Sequence, residues 1–178
     1  MSRDLAKPLG VPPRRERRAP VTAVVALGAN LGDRAETLDA AVRELERLPL
    51  TEGVVCSAPL ETVAVKPDGP DDTAPAYLNA VALVTTRLAP TVLLGFLQAI
   101  EERHGRVRRE RWGDRTLDLD LIAYGDVVSD DPVLTLPHPR AAEREFVLAP
   151  WLDVDPDAEL PAAGRVDALL AALRGEDR

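Results

Sequence analysis

The sharpest chemical pattern in the chain is Leu117-Asp118-Leu119-Asp120-Leu121. Side chains alternate in direction along a strand, so the leucines point one way and both aspartates the other. Two residues of strand rise separate the carboxylates by about 6–7 Å at the backbone, and from there they can converge on one or two hard cations. Mg²⁺ suits such a pair, because it takes a couple of carboxylates and fills its shell with phosphate oxygens and water. Taken alone, the same pattern is also that of an amphipathic strand with one solvated face.

The residues just before it shift the balance. Gly105 to Thr116 carries Arg106, Arg108, Arg109, Arg111 and Arg115 against only Glu110 and Asp114. Guanidiniums beside paired carboxylates suit a metal-chelated polyphosphate: the carboxylates hold the metal and the arginines hold the phosphate charge. Gly105 and Gly113 give the segment freedom to move, and Trp112 is placed to cover a base or ring. The alternative is a solvated basic loop paired with nearby acids.

Other candidates are weaker singly. The Gly28-Ala29-Asn30-Leu31-Gly32-Asp33 turn matches neither a dinucleotide fingerprint nor a phosphate-binding loop with its lysine. Asn30 either contacts a ligand or takes a left-handed conformation. Tyr77 and Asn79 share a strand face and can stack on and hydrogen-bond a flat heterocycle, or simply pack. Unaided, Phe146 reads as core and His138 as surface, while His104 reads as a helix cap. Cys56 in its short apolar strand reads as packing, and the absence of Gly-x-Ser-x-Gly argues against a serine hydrolase.

These residues need elements to hold them. Val21–Leu27 reads as a buried strand. A helix starts at Asp33, a plausible N-cap with Glu36 three residues on, and Pro49 stops it. Val54–Ser57 is a short strand and residues 64–75 a long exposed loop. Tyr77–Thr86 is a strand, Pro90 or Thr91 opens a second helix, and Leu117–Tyr124 is another strand. The order is β-α-β-β-α-β, the ferredoxin-like α+β arrangement: a four-stranded antiparallel sheet with two helices on one face. Residues 125–178 form a small C-terminal annex broken up by prolines, ending in a helix over 166–174.

Length and composition bound the rest. The chain has 178 residues, 46% hydrophobic and 29% charged, an ordinary globular balance. One cysteine excludes an intramolecular disulfide framework and fits a reducing cytoplasm. No apolar run is long enough to cross a membrane, and the N-terminus lacks a secretory h-region. The net charge is −8, yet residues 1–20 carry six basic and two acidic side chains, so the body is acidic. That argues against general binding to nucleic acid or anionic membrane. Residues 1–20, with four prolines, read as a disordered extension, and residues 21–178 as one domain.

Taken together, Ala26–Asp33, Tyr77-Leu78-Asn79-Ala80, Gly105-Arg106-Val107-Arg108, Arg111-Trp112-Gly113-Asp114-Arg115-Thr116-Leu117-Asp118-Leu119-Asp120 and Pro137-His138-Pro139 with Arg144 and Phe146 resemble the 6-hydroxymethyl-7,8-dihydropterin pyrophosphokinases of folate biosynthesis. The resemblance runs from about residue 21 to 161, and the Arg-Trp-Gly-x-Arg-Thr-Leu-Asp-Leu-Asp segment is its most specific part. It implies transfer of the terminal diphosphate of ATP to the pterin hydroxymethyl group, with release of AMP. It implies that Asp118 and Asp120 bind two Mg²⁺ ions. Asn30, Thr62, Tyr77, Asn79 and Phe146 would form the pterin pocket, with Tyr77 and Phe146 sandwiching the ring. Arg106, Arg115, His138 and Arg144 would contact the nucleotide phosphates, with Gln98 and Glu101 near the nucleotide. Arg108, Arg109, Arg111 and Trp112 would ride on a loop that closes over both substrates.

The chain departs from the family pattern at several points. Leu60 stands where tyrosine is usual, Val63 and Asp114 where proline is usual, and the 64–75 loop is longer than in compact members. Two other classes stay in view: a different metal-dependent nucleotidyl or phosphoryl transferase, and a non-catalytic module presenting aromatics to RNA. The expected state is a monomeric cytoplasmic enzyme with ATP and the pterin as its partners.

Overall fold

A computed structural model describes residues 18–66, 69–71, 75–105 and 116–175. In chain order the elements begin with β1 (Val21–Ala29), α1 (Arg34–Glu46), β2 (Thr51–Cys56), β3 (Leu60–Thr62), β4 (Ala64–Lys66), β5 (Gly69–Asp71), β6 (Tyr77–Thr86), α2 (Pro90–Arg103) and β7 (Asp118–Tyr124). They continue with β8 (Ser129–Asp131), β9 (Leu134–Leu136), a 3₁₀ turn (Ala141–Glu143), α3 (Glu145–Val154), β10 (Glu159–Leu160), β11 (Gly164–Arg165) and α4 (Val166–Arg174).

The main sheet runs β2-β6-β1-β7 with every neighbour antiparallel, and β3 adds to the same side of β6 as β2. That is the β-α-β-β-α-β order the hydrophobic pattern calls for. Asp33 caps α1 by accepting the Glu36 amide at 3.0 Å, which satisfies one of the donors a helix start leaves open. Pro90 opens α2, where its missing N–H costs nothing.

One face of the sheet packs on α1 and α2. Leu38, Ala41 and Leu45 of α1 and Leu93, Leu97 and Ile100 of α2 meet Val25, Leu27, Ala80, Ala82, Val84, Leu119 and Leu121 in one buried core. The other face is not left to solvent. Val24, Val81, Ile122 and Ala123 pack on Val147, Leu148 and Trp151 of α3 and on Val166 and Leu170 of α4. The annex therefore makes a second layer, and the sheet is covered on both faces.

This corrects the proline-broken reading of the annex. Pro150 lies inside α3 and removes the backbone hydrogen bond that the Phe146 carbonyl would accept. Burial of Val147, Leu148, Pro150 and Trp151 outweighs that loss, as tertiary packing of an apolar stripe commonly does. One further expectation changes: the 64–75 segment, read as a loop, contains the paired strands β4 and β5. The last helix, α4, spans Val166–Arg174 as its periodicity indicates. The N-terminal extension lies outside the described residues as far as residue 17. No helix among the described residues is long and apolar enough to cross a membrane.

Candidate functional site

At one end of the sheet a row of residues lies side by side across four strands. Leu60 of β3 pairs with Asn79 of β6, Asn79 with Gly28 of β1, and Gly28 with Asp118 of β7. The side chains of Asn79 and Asp118 leave the sheet on the face opposite the α1–α2 core, because their neighbours Leu78, Ala80, Leu117 and Leu119 fill that core. Farther along β7 the annex covers this second face at Ile122. Asp118 and Asp120 lie before that cover begins, and both are half-buried.

Gly28 keeps the row open. A Cβ there would stand 3.2 Å from Asn79 Oδ1. Asn79 is buried, and its Nδ2 donates to Thr62 Oγ1 at 2.8 Å, which orients the amide. Thr62 in turn pairs with Tyr77 two rungs along the ladder. Asn30 is 2% exposed at the end of β1 and is not left-handed; Gly32 takes the positive φ of that turn, at 66°. That removes one of the two readings open for Asn30.

Asp120 has cationic and polar company. Arg144 Nη1 donates to Asp120 Oδ2 at 2.8 Å, and His138 Nε2 lies 4.0 Å from the same oxygen. The His138 backbone N–H is tied to the Ile122 carbonyl at 2.8 Å, and its Nδ1 accepts from the Arg140 amide at 3.2 Å. That bond assigns the ring proton to Nε2, facing Asp120. Burial pushes the His138 imidazole below its ordinary value; Asp120 pulls it back up, and Arg144 and Arg140 push it down. The ring is therefore neutral at neutral pH and able to donate one hydrogen bond to an anion. His138 is half-buried, against the surface position read from sequence.

Arg144 faces two ways. Its guanidinium carbon is 5.7 Å from the centroid of the Phe146 ring. Phe146 is 36% exposed at the start of α3, so it is not the core residue its type suggests. The helix turns its Val147 and Leu148 inward and leaves Phe146 beside the arginine.

Glu101 occupies an unexpected place. It is 1% exposed, on the core side of α2, and its Oε1 accepts the Leu119 amide at 2.8 Å. β7 is an edge strand, and its outward N–H groups need partners other than a neighbouring strand. Glu101 supplies one between the two aspartates. The structure thus places Glu101 behind the strand.

Beside Asp120 is a cavity of about 270 Å³. Gln98 lines it with Asp120, His138, Leu94, Leu121, Val133, Leu134 and Thr135. Sequence reading found Gln98, Asp120 and His138. It missed the apolar wall, whose visible signal is the solvent-facing Val133 on a hairpin tip. Arg106, Arg108, Arg109, Arg111, Trp112 and Arg115 lie outside the described residues. Their segment leaves at Gly105, φ 83°, and returns at Thr116, whose Oγ1 would be 3.9 Å from a Cβ on Gly105. The two ends therefore lie close together, and Thr116 is two residues before Asp118.

The donor set fits magnesium. Two carboxylates, Asp118 and Asp120, project half-buried from the same face of β7. Two hard oxygens with room for phosphate and water are what Mg²⁺ takes.

Comparison with known proteins gives concordant results. The profile of the 7,8-dihydro-6-hydroxymethylpterin-pyrophosphokinase (HPPK) family matches residues 24–156. A 2-amino-4-hydroxy-6-hydroxymethyldihydropteridine pyrophosphokinase of Haemophilus influenzae is 44% identical over 141 residues, 79% of this chain and 86% of that protein. The Pseudomonas aeruginosa protein of the same name is 47% identical over 148 residues, 83% of this chain and 89% of its own. Among solved structures, a Plasmodium falciparum HPPK-DHPS chain superposes with a TM-score of 0.67 at 14% identity, covering 89% of this chain. This chain spans 46% of that longer one, and the likeness speaks for the fold.

Proposed function

This chain belongs to the 7,8-dihydro-6-hydroxymethylpterin-pyrophosphokinase family, and on that premise we propose how its own residues perform the reaction. It is an ATP-dependent diphosphokinase of folate biosynthesis: it transfers the diphosphate of ATP to the hydroxymethyl group of 6-hydroxymethyl-7,8-dihydropterin, giving the pterin diphosphate and AMP. The observation that carries the site assignment is the open row in which Asn79 and Asp118 flank Gly28.

The pterin takes the Asn79 side of the row. Asn79 reads the polar edge of the heterocycle with Thr62 holding the amide in place, and Asn30 closes the turn beside it. Tyr77 and Phe146 enclose the ring. The triphosphate takes the Asp118–Asp120 side, and the adenosine takes the cavity lined by Gln98, Leu94, Leu121 and Leu134. Asp118 and Asp120 would hold two Mg²⁺ ions, which would supply charge neutralisation and alignment of the triphosphate. Arg144 and His138 donate to phosphate oxygens; Arg106, Arg108, Arg111, Trp112 and Arg115 come from the segment between Gly105 and Thr116.

The reaction is an in-line displacement. The pterin hydroxyl oxygen bonds to the β-phosphorus and loses its proton, which is released as H⁺; the bond from that phosphorus to the α,β-bridging oxygen breaks, and AMP leaves with the electron pair. Little covalent help is needed, so positioning and charge stabilisation carry the rate. Guanidiniums offset charge on the bridging oxygen and on the transferred group. Exclusion of water protects the diphosphate from hydrolysis. The working state we propose is a cytoplasmic monomer.

Chromatography of the nucleotide products tests this reading. Purified protein with ATP and Mg²⁺ should yield AMP only when hydroxymethyl-dihydropterin is present, one-to-one with the pterin diphosphate. Pterin-dependent ADP instead would assign a single phosphoryl transfer and overturn it.

A further inference from the structure

Arg34 opens α1, where the helix dipole disfavours a cation. A residue that breaks a local rule points to a tertiary reason, and here the reason is visible. Arg34 Nη1 donates to the Ala76 carbonyl at 2.6 Å and to Glu61 Oε1 at 2.9 Å. Those partners flank one rung of the sheet. Glu61 precedes Thr62, Ala76 precedes Tyr77, and Thr62 and Tyr77 are paired across β3 and β6. That rung is the last of the ladder, where the chain leaves β3 and before it re-enters β6.

We propose that Arg34 is a positioning residue for the pterin site: its guanidinium ties the Thr62–Tyr77 rung shut from outside the sheet. This rests on the pterin reading above. β3 is three residues long and, among the described residues, pairs with β6 alone, so few ladder bonds hold its end. The Thr62 hydroxyl must stay in place for Asn79 to keep its orientation, and the Tyr77 ring must stay in place to cover the heterocycle. The Glu61 pair alone is too exposed to hold the rung, at 60% for the Glu61 side chain. The bond to the Ala76 carbonyl is charge-assisted on a half-buried arm and carries more. The same arginine starts the helix that follows the Asn30 turn, so one side chain links three walls of the pocket.

The test compares Arg34→Ala, Arg34→Lys and Glu61→Gln with the parent protein. Fluorescence titration gives the pterin affinity, steady-state kinetics give both KM values, and peptide-resolved hydrogen exchange reports on the rung. Arg34→Ala should weaken pterin binding about tenfold, the worth of one charge-assisted bond, with the KM for ATP nearly unchanged. Arg34→Lys, which keeps a donor for Ala76, should recover part of that, and Glu61→Gln should lose less. Exchange should rise around residues 60–62 and 77–78 and stay level in β7. Equal rises in both KM values, or unchanged exchange at the rung, would overturn the role of Arg34. A parent protein that binds no pterin would overturn the reading of the pocket, and the exchange data would still report whether Arg34 holds the rung.

Discussion

Asn79 and Asp118 lie on one cross-strand row with only Gly28 between them. Two strand spacings separate their backbones, about 10 Å. The residue proposed to read the acceptor and the residue proposed to hold the metal-bound triphosphate are thus fixed by one piece of rigid sheet. Precise placement is the main service a diphosphate transfer needs from its protein. The bare Cα at Gly28 is part of that service, because a methyl group there would crowd the Asn79 amide oxygen at 3.2 Å. We expect Gly28→Ala to raise the KM for pterin about tenfold, the scale of a mild overpacking penalty. The KM for ATP should move less, and steady-state kinetics with each substrate varied in turn would show an equal effect on both if the row were not the acceptor site.

The carboxylate pair makes a cleaner prediction. Asp118 and Asp120 project from β7 on the face that its buried leucines do not use. Asp118→Ala and Asp120→Ala should therefore leave the thermal midpoint within a few degrees and lower kcat by about 10²–10³ or more. Titration of Mn²⁺ in the presence of a non-hydrolysable ATP analogue should show lost metal binding in both. Near-normal turnover in either variant would remove that residue from the metal site.

Glu101 separates support from contact. Its bond to the Leu119 amide fixes the strand between the two aspartates. Glu101→Gln keeps an acceptor for that amide and should retain most stability. Glu101→Ala strands a buried N–H and leaves a cavity, costing about 2–4 kcal/mol in denaturant unfolding. Metal and nucleotide affinity should follow the same order. A Gln variant as impaired as the Ala variant would show that the charge at Glu101 matters more than the strand bond.

Acid stability has a local marker in Glu44. Burial alone raises this carboxyl, but hydrogen bonds from Arg103 and His104 outweigh it and hold it below its ordinary 4.5. His104 Nε2 lies 2.7 Å from Glu44 Oε1, joining the end of α2 to α1. A depressed carboxyl binds protons less readily folded than unfolded, so it stabilises the fold above about pH 4.5 and loses that as pH falls through the depressed value. Glu44→Gln should flatten the acid limb of the stability curve. Superimposable acid limbs for the two proteins would contradict the assignment.

Much of this was legible in the sequence where the physics is local. The 3–4 spacing in α1 and α2 is read directly because each helix buries one face, and Tyr77–Thr86 is read as a strand from its apolar, β-branched run even though the sheet buries it on both faces. Asp118 and Asp120 stand out for the same reason. α3 was not legible, because Pro150 breaks the helix pattern and only packing against the sheet restores it. Phe146 was misread because an aromatic in an apolar run looks like core, and its exposure depends on which side of α3 meets β6. The apolar wall at Leu94, Leu121 and Leu134, the row through Gly28 and the rung held by Arg34 join residues distant in sequence, and no spacing rule announces them.

The most direct test of diphosphate transfer follows each phosphate of ATP. The protein would be run with Mg²⁺ and hydroxymethyl-dihydropterin using ATP labelled at the α-, β- or γ-position in separate reactions. The account predicts α-label only in AMP, with β- and γ-label together in the pterin product. A pterin product carrying γ-label alone, with ADP as the partner product, would contradict attack at the β-phosphorus and the function proposed here.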